Sequence, residues 1–125
     1  MPGSASTQLR DRPYHHGDLR GALIAEAIAQ VEAVGMENLS LRSVAHAVGV
    51  SPSAAYHHFA DKDALIAAVA LEGVERLNVS MALQMARYPR GEAASAQERA
   101  SAAGLAYITF AVEHPNLFRI AFSGH

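Results

Sequence analysis

The sequence predicts an all-α fold. Over the 125 residues, apolar side chains recur three and four positions apart in successive stretches, which is the spacing of one helix face. Ser or Asp stands before most of these stretches, and Gly or Pro follows them. No segment alternates apolar and polar residues as a half-buried strand does. We therefore predict a three-helix head, a long fourth helix and the first helices of a second helical domain.

The composition excludes several classes of protein. Ten Lys and Arg stand against twelve Asp and Glu, so the net charge of −2 points to no charged partner. The absence of cysteine excludes disulfides, thiol nucleophiles and Cys-ligated metals. We find neither the apolar core of a signal peptide nor a stretch long enough to span a bilayer. The expectation is a cytoplasmic protein with no membrane partner.

The first predicted helix begins after Asp18, a candidate N-cap, and ends before Gly35, a residue that favours a left-handed stop. Its apolar face should bury the residues Leu19, Leu23, Ile24, Ala27, Ile28, Val31 and Val34. This helix would support the two shorter helices that follow it.

Two short helices joined by a tight turn are predicted next. Ser40 can cap the first of them, and Gly49 can end it. Ser51 can cap the second, with Pro52 at its first helical position and its end near Phe59. Such a pair behind a longer helix forms a helix-turn-helix, whose second helix enters the major groove of DNA. The packing between the two helices should come from Val44, Ala45, Val48, Val50 and Ala55.

Three regions are predicted along the chain. Residues 1–13 would be a flexible arm, since they lack apolar periodicity. Residues 14–60 would form the helix-turn-helix domain. Residues 61–125 would comprise the fourth helix, capped by Asp61 and running to about Ala86, and part of a C-terminal ligand-binding and dimerisation domain.

The remaining helices are predicted from weaker signals. Ser95 and Glu98 have the spacing of a capping box, which would open a fifth helix. Pro115 ends that helix, and residues 116–122 can form a short last one. The buried stripe of the fifth helix should consist of Leu105, Ile108 and Val112.

The second helix of the motif carries the candidate base-reading residues. Ser53, Ala54 and His57 should lie on its free face, where small side chains let the backbone approach the base edges. Arg42 is the sole arginine of the motif. It is the best candidate for a bidentate guanine contact, and a phosphate clamp is its alternative role.

A polar ring around this face could hold the phosphates. Tyr56 and His58 offer neutral donors, and Lys62 offers a point charge. The complete set of predicted DNA-contacting residues is Arg42, Ser43, Ser51, Pro52, Ser53, Ala54, Tyr56, His57, His58 and Lys62. No catalytic residue, metal ligand or cofactor is predicted.

Other interpretations stay open beside this one. A small histidine metalloenzyme would use the adjacent pairs at 15–16 and 57–58, but neighbouring helical residues point about 100° apart and cannot share one ion as i and i+4 residues can. A helical protein-interaction module without DNA binding is a second alternative. Six side chains in the second half could be core or a ligand cage: Met81, Met85, Tyr107, Phe110, Phe118 and Phe122.

The segment LRSVAHAVGVSPSAAYHHFADKDAL resembles the DNA-binding signature of the TetR (tetracycline-repressor) family of bacterial transcription regulators. YHHGDLRGAL is similar to the opening of one branch, and EHPNLFRIAFSGH resembles that branch's junction between helices five and six. The resemblance implies a homodimer on a palindromic double-stranded DNA operator, a small-molecule effector and, most often, repression. Family members ordinarily continue through further helices, so the chain is expected to be a C-terminally truncated form.

Overall fold

The computed structural model describes residues 17–91 and 93–123, which form α-helices and one 3₁₀ turn without any strand in those ranges. The turn is Met36–Asn38, and the helices are α1 (Leu19–Val34), α2 (Leu41–Val48), α3 (Pro52–His58), α4 (Lys62–Met85), α5 (Ala93–Glu113) and α6 (Pro115–Ala121). The predicted all-α class is confirmed. The arm predicted at 1–13, and the histidines at 15 and 16, lie outside the described residues.

The chain divides into two compact units, Met1–Val69 and Ala70–His125. Helix α4 contributes its first eight residues to the first unit and the rest to the second. The first unit buries one apolar core, which includes Leu23, Ala27, Ile28, Val31, Leu39, Leu41, Val44, Ala45, Val48, Ala55, Phe59, Leu65, Ile66 and Val69. This core holds α1, α2 and α3 together.

Helix α1 has the predicted limits. Asp18 occupies the N-cap position, although its side chain makes no capping hydrogen bond, and Gly35 has a positive φ of 86° just after the helix. The predicted stripe is buried in its middle, while Val34 is exposed in the last turn. The end of α1 therefore packs less than the periodicity predicts.

The predicted start of α5 is wrong. The helix begins at Ala93, so Ser95 lies inside its first turn and is buried, and no capping box opens the helix there. Ala93 and Ala94 are strong helix formers, which explains why the helix extends ahead of the predicted cap.

The predicted buried stripe of α5 is also wrong. Leu105, Ile108 and Val112 are 66%, 59% and 73% exposed, while Ala106 and Phe110 are buried. Both sets have helical spacing, so the periodicity alone could not decide between the two faces. The buried face of α5 thus carries the small Ala106 and the large ring of Phe110, and the aliphatic side chains lie on the solvent-exposed face.

The aromatic residues of the second unit divide between core and surface. Phe110 is buried, as the core interpretation predicts. Tyr107 meets Phe118 edge-on with ring centroids 5.4 Å apart, and Phe118 lies 4.8 Å from Phe122. Since Tyr107 and Phe122 remain exposed, these three rings form a half-open cluster and not a closed core.

Helix α4 approaches α6 closely at Gly73. A Cβ atom placed on Gly73 would lie 3.1 Å from Cδ1 of Leu117 and 3.4 Å from Cβ of Ala121. Both distances are shorter than the separation of about 3.5–4.0 Å at which carbon atoms attract best. Leu117 is almost fully buried, so it fills the space that the glycine leaves.

Among the described residues, none of the helices combines the length and apolar character needed to cross a bilayer.

Candidate nucleic-acid interface

The helix-turn-helix rests on a buried seam between α2 and α3. Val44, Ala45, Val48 and Ala55 are buried, as the spacing predicts, whereas Val50 is only half-buried. Gly49 ends α2 in the left-handed conformation with φ 95°, which favours glycine. The amides of Gly49 and Val50 both donate to the carbonyl oxygen of Ala45, at 2.9 and 3.0 Å. The turn between the helices is thus tightly bonded.

Both helices of the motif are capped by serine hydroxyls. Oγ of Ser40 accepts from the amide of Ser43 at 3.0 Å, and Oγ of Ser51 accepts from the amide of Ala54 at 3.2 Å. Pro52 occupies the first turn of α3, where its missing N–H costs no hydrogen bond. These predicted caps fix where α2 and α3 begin, and the Ser51 cap thereby sets which residues α3 exposes.

We expect Ser51→Ala to lower the free energy of unfolding by about 1 kcal/mol, because the amide of Ala54 loses its acceptor. Urea denaturation followed by circular dichroism measures this change. Ser53→Ala is the matched control, since Ser53 is an exposed serine two positions along the same segment. Equal stability of the two variants would show that the cap contributes nothing.

The free face of α3 is polar and open to solvent. Ser53 and His57 are exposed, and Tyr56 is 48% exposed. Ala54 and His58 are half-buried at the edges of this face. The imidazole rings of His57 and His58 meet edge-on with centroids 5.4 Å apart. A short helix thus offers a hydroxyl, a phenol and imidazoles to a binding partner.

Arg42 and Ser43 lie in the first turn of α2 but have different surroundings. Arg42 is exposed. Ser43 is half-buried, and its hydroxyl lies 2.9 Å from Oε1 of Gln30 and 3.0 Å from the carbonyl oxygen of Ser40. Nε2 of Gln30 in turn donates to the carbonyl oxygen of Ser43 at 3.3 Å. The structure therefore turns the Ser43 hydroxyl toward α1, and Arg42 alone of the two faces solvent.

Lys62 lies at the start of α4 beside an acidic cap. Oδ1 of Asp61 accepts from the amide of Ala64 at 2.9 Å, so a carboxylate already occupies this helix N-terminus. Nζ of Lys62 donates to the carbonyl oxygen of Glu37 at 3.4 Å. The Lys62 ammonium is thus held near the 3₁₀ turn by one long hydrogen bond, which a phosphate could replace.

The motif carries no carboxylate from Ser43 to Ala60. Its titratable side chains in that span are Tyr56, His46, His57 and His58. A polyanion approaching α3 would therefore meet no negative side chain from the turn or from the reading helix itself, although the net charge of the whole chain is negative.

Two residues of this region make contacts that the sequence analysis does not predict. Arg20, in the first turn of α1, places its guanidinium carbon 4.7 Å from the ring centroid of Phe59. Gln30 ties α1 to the backbone and side chain of Ser43. Both contacts join residues far apart in sequence, so no local pattern signals them. Within residues 17–91 and 93–123, no three His, Asp or Glu side chains cluster as a metal site would need.

Comparison with known proteins identifies this domain. A sequence model described as bacterial regulatory proteins, tetR family, matches residues 23–69, which include α2, α3 and the first turns of α4. Residues 23–69 are thus similar to the DNA-binding domain of the TetR family of bacterial regulatory proteins. The family consists of DNA-binding transcription regulators with a helix-turn-helix.

Solved structures share the fold beyond the matched domain. A protein with unknown function from Rhodococcus sp. RHA1 is 36% identical, with a TM-score of 0.74 over 90% of this chain and 56% of that protein. TetR from Acinetobacter baumannii AYE is 24% identical, with a TM-score of 0.63 over 84% of this chain and 51% of that protein, and so is similar in fold alone.

The chain thus spans about half the length of each of these two structures. A search of curated proteins finds no match to it.

Proposed function

We propose that this protein is a sequence-specific DNA-binding regulator whose helix α3 reads the major groove. The observation that carries the proposal is the exposed polar face of α3, with Ser53 and His57 open to solvent. The Ser51 cap and the bonded turn after the Ser40-capped α2 hold this helix in place. A rigid, short helix with small exposed residues suits close approach to base edges.

The base contacts are assigned to the middle of this face. The Ser53 hydroxyl can donate to or accept from a base, and the Ala54 methyl can meet the methyl of a thymine. His57 adds an imidazole on the same exposed side. Arg42 projects into solvent from α2, and its planar fork suits guanine O6 and N7, with a phosphate as its second option.

The phosphate contacts are assigned to the groups around the face. Tyr56 and His58 act as neutral donors, and Lys62 acts as the ionic contact once its hydrogen bond to Glu37 is exchanged. Ser51, Pro52 and Ser43 act mainly by setting the backbone of α3 and α2, because Ser51 caps α3 and the Ser43 hydroxyl faces α1. Binding would therefore depend on few charges.

Two substitutions should separate neutral from ionic phosphate contacts. Lys62→Gln should make the negative slope of log K against log salt shallower by about 0.9 per half-site, because it removes one ionic contact. Tyr56→Phe should weaken binding by about two- to tenfold and leave that slope unchanged, because it removes a hydrogen bond worth about 0.5–1.5 kcal/mol and no charge. Fluorescence anisotropy of labelled operator at several salt concentrations measures both effects. A changed slope for Tyr56→Phe would contradict the assignment.

We further propose that the protein acts as a ligand-responsive repressor and as a homodimer. One α3 reads one half-site, so two copies with α3 helices about 34–36 Å apart would read a palindrome and block a promoter. The second unit contains a cleft of about 480 Å³ lined by residues that include Gln84, Arg87, Tyr88, Glu98 and Leu105. Its volume lies within the range of about 300–1,000 Å³ for small-molecule sites.

Helix α4 is the proposed connection between effector and DNA. It supplies residues to both compact units without a break, so a ligand that favours one arrangement of the second unit can bias the DNA-binding unit through it. A ligand would lower operator affinity only by the difference in its affinity for the two states.

Selection of bound sites from random DNA duplexes tests the proposed function. We expect enrichment of a sequence with two symmetric half-sites, about 10 base pairs apart from centre to centre. A single enriched half-site would contradict the dimer. Failure to enrich any sequence, in a protein with native circular dichroism, would contradict DNA reading itself.

A further inference from the structure

We infer that Arg20 binds a DNA phosphate at the edge of each half-site, with its guanidinium held in position by the ring of Phe59. This inference rests on the proposed DNA binding and adds a contact that the helix-turn-helix sequence does not reveal. Arg20 belongs to α1, and Phe59 is the residue directly after α3.

The contact fixes the position of the charge relative to the reading helix. The guanidinium carbon of Arg20 lies 4.7 Å from the centroid of the Phe59 ring, a distance at which cation and ring attract each other. Phe59 is 2% exposed, and its amide donates to the carbonyl oxygen of Ala55 at 3.0 Å. The ring is thus packed in the core, and the guanidinium lies against it at the C-terminal end of α3.

Arg20 keeps its hydrogen-bonding capacity in this position. The residue is exposed, and it is paired with no carboxylate in the described part of the chain. Contact with an aromatic ring does not use the N–H donors of a guanidinium, which can still form a bidentate pair with a phosphate. Arg20 is therefore a positioned cation that pairs with no carboxylate among residues 17–91 and 93–123.

The size of α3 places such a cation near the phosphates. Seven residues at about 1.5 Å each give a helix of roughly 10 Å, close to the major-groove width of about 12 Å. A group fixed just beyond the last turn of a helix in that groove lies at its rim, where the sugar-phosphate backbone runs. The Phe59 ring holds Arg20 at this end.

The small number of cationic side chains in the first unit supports a role for Arg20 in phosphate binding. Between residues 17 and 69, the cationic side chains are Arg20, Arg42 and Lys62. Lys62 is engaged with a carbonyl oxygen, and Arg42 is assigned to a base. Arg20, which is exposed, is thus a further cation beside Lys62 that can contact a phosphate.

The test compares salt dependence of operator binding in the full 125-residue chain. The variants are Arg20→Gln, which removes the charge, and Arg20→Lys, which keeps it. We expect Arg20→Gln to make the negative slope of log K against log salt shallower by about 0.9 per half-site. Arg20→Lys should keep the wild-type slope. Arg90→Gln, the same change at an exposed arginine of the second unit, is the matched control and should leave the slope unchanged.

The possible results separate the inference from the proposed function. An unchanged slope for Arg20→Gln would overturn the phosphate contact, even if affinity or melting temperature fell. An equal loss of slope in Arg20→Lys would also overturn it, because the loss would then follow from a disturbed structure and not from the missing charge. A wild-type protein without salt-dependent operator binding would instead contradict the proposed function.

Discussion

Replacing His57 by glutamate should weaken operator binding by at least about 100-fold and leave the protein folded. His57 is exposed on the face of α3, so the new side chain needs no space in the core. Its carboxylate would be the first negative side chain between Ser43 and Ala60, and it would face the phosphates and the acceptor-rich groove. Like charges brought together at an interface cost several kcal/mol.

Two controls make this result specific. Gln97→Glu changes the net charge by the same amount at an exposed position of α5 and should bind as the wild type does. His57→Gln removes the imidazole without adding charge and should lose far less affinity than His57→Glu. Anisotropy titration at one salt concentration compares the three proteins. Wild-type affinity in His57→Glu would show that this face of α3 does not approach DNA.

Leu65→Ala should lower the free energy of unfolding by about 2–5 kcal/mol, because it removes a large side chain from a site with no solvent exposure. Leu65 lies in the part of α4 that belongs to the first unit and completes the core beneath α1 to α3. Native domains are stable by only about 5–15 kcal/mol, so this single change removes a large fraction of the total.

The same helix supplies the control for this prediction. Leu71→Ala makes the identical chemical change six residues later, where the leucine is 71% exposed. We expect a loss of less than about 0.5 kcal/mol there. Urea denaturation of both variants, followed at 222 nm, measures the difference. Equal losses would mean that α4 does not present these two faces as described.

The first unit could be predicted well because its signals are local. Ser40, Ser51 and Asp61 each cap the helix that follows within three residues, and Gly49 stops α2 by its own backbone preference. Each of these signals depends on a few neighbouring residues, so it can be interpreted without knowing the tertiary structure.

The second unit was harder to predict because tertiary packing determines which face of α5 is buried. Leu105, Ile108 and Val112 and the pair Ala106 and Phe110 follow the same helical period, and only the packed structure shows that the second set is buried. Hydrophobicity favours the aliphatic set, but Ala106 and Phe110 occupy the packed face.

The candidate site was predictable in outline but not in its supporting contacts. The exposure of Ser53 and His57 follows from the helical register, and the structure confirms it. The engagement of Ser43 with Gln30, and of Arg20 with Phe59, depends on side chains that meet only after the chain folds. The DNA contacts themselves stay predictions.

The close approach at Gly73 links two positions that are 44 residues apart. Even a single methyl group added at position 73 would crowd the side chain of Leu117, which is almost fully buried. The residue tolerated at one of these positions therefore depends on the residue at the other. Homologues with alanine at the first position should carry valine or alanine at the second. In an alignment of homologues, co-variation between positions 73 and 117 would therefore report the spacing between α4 and α6.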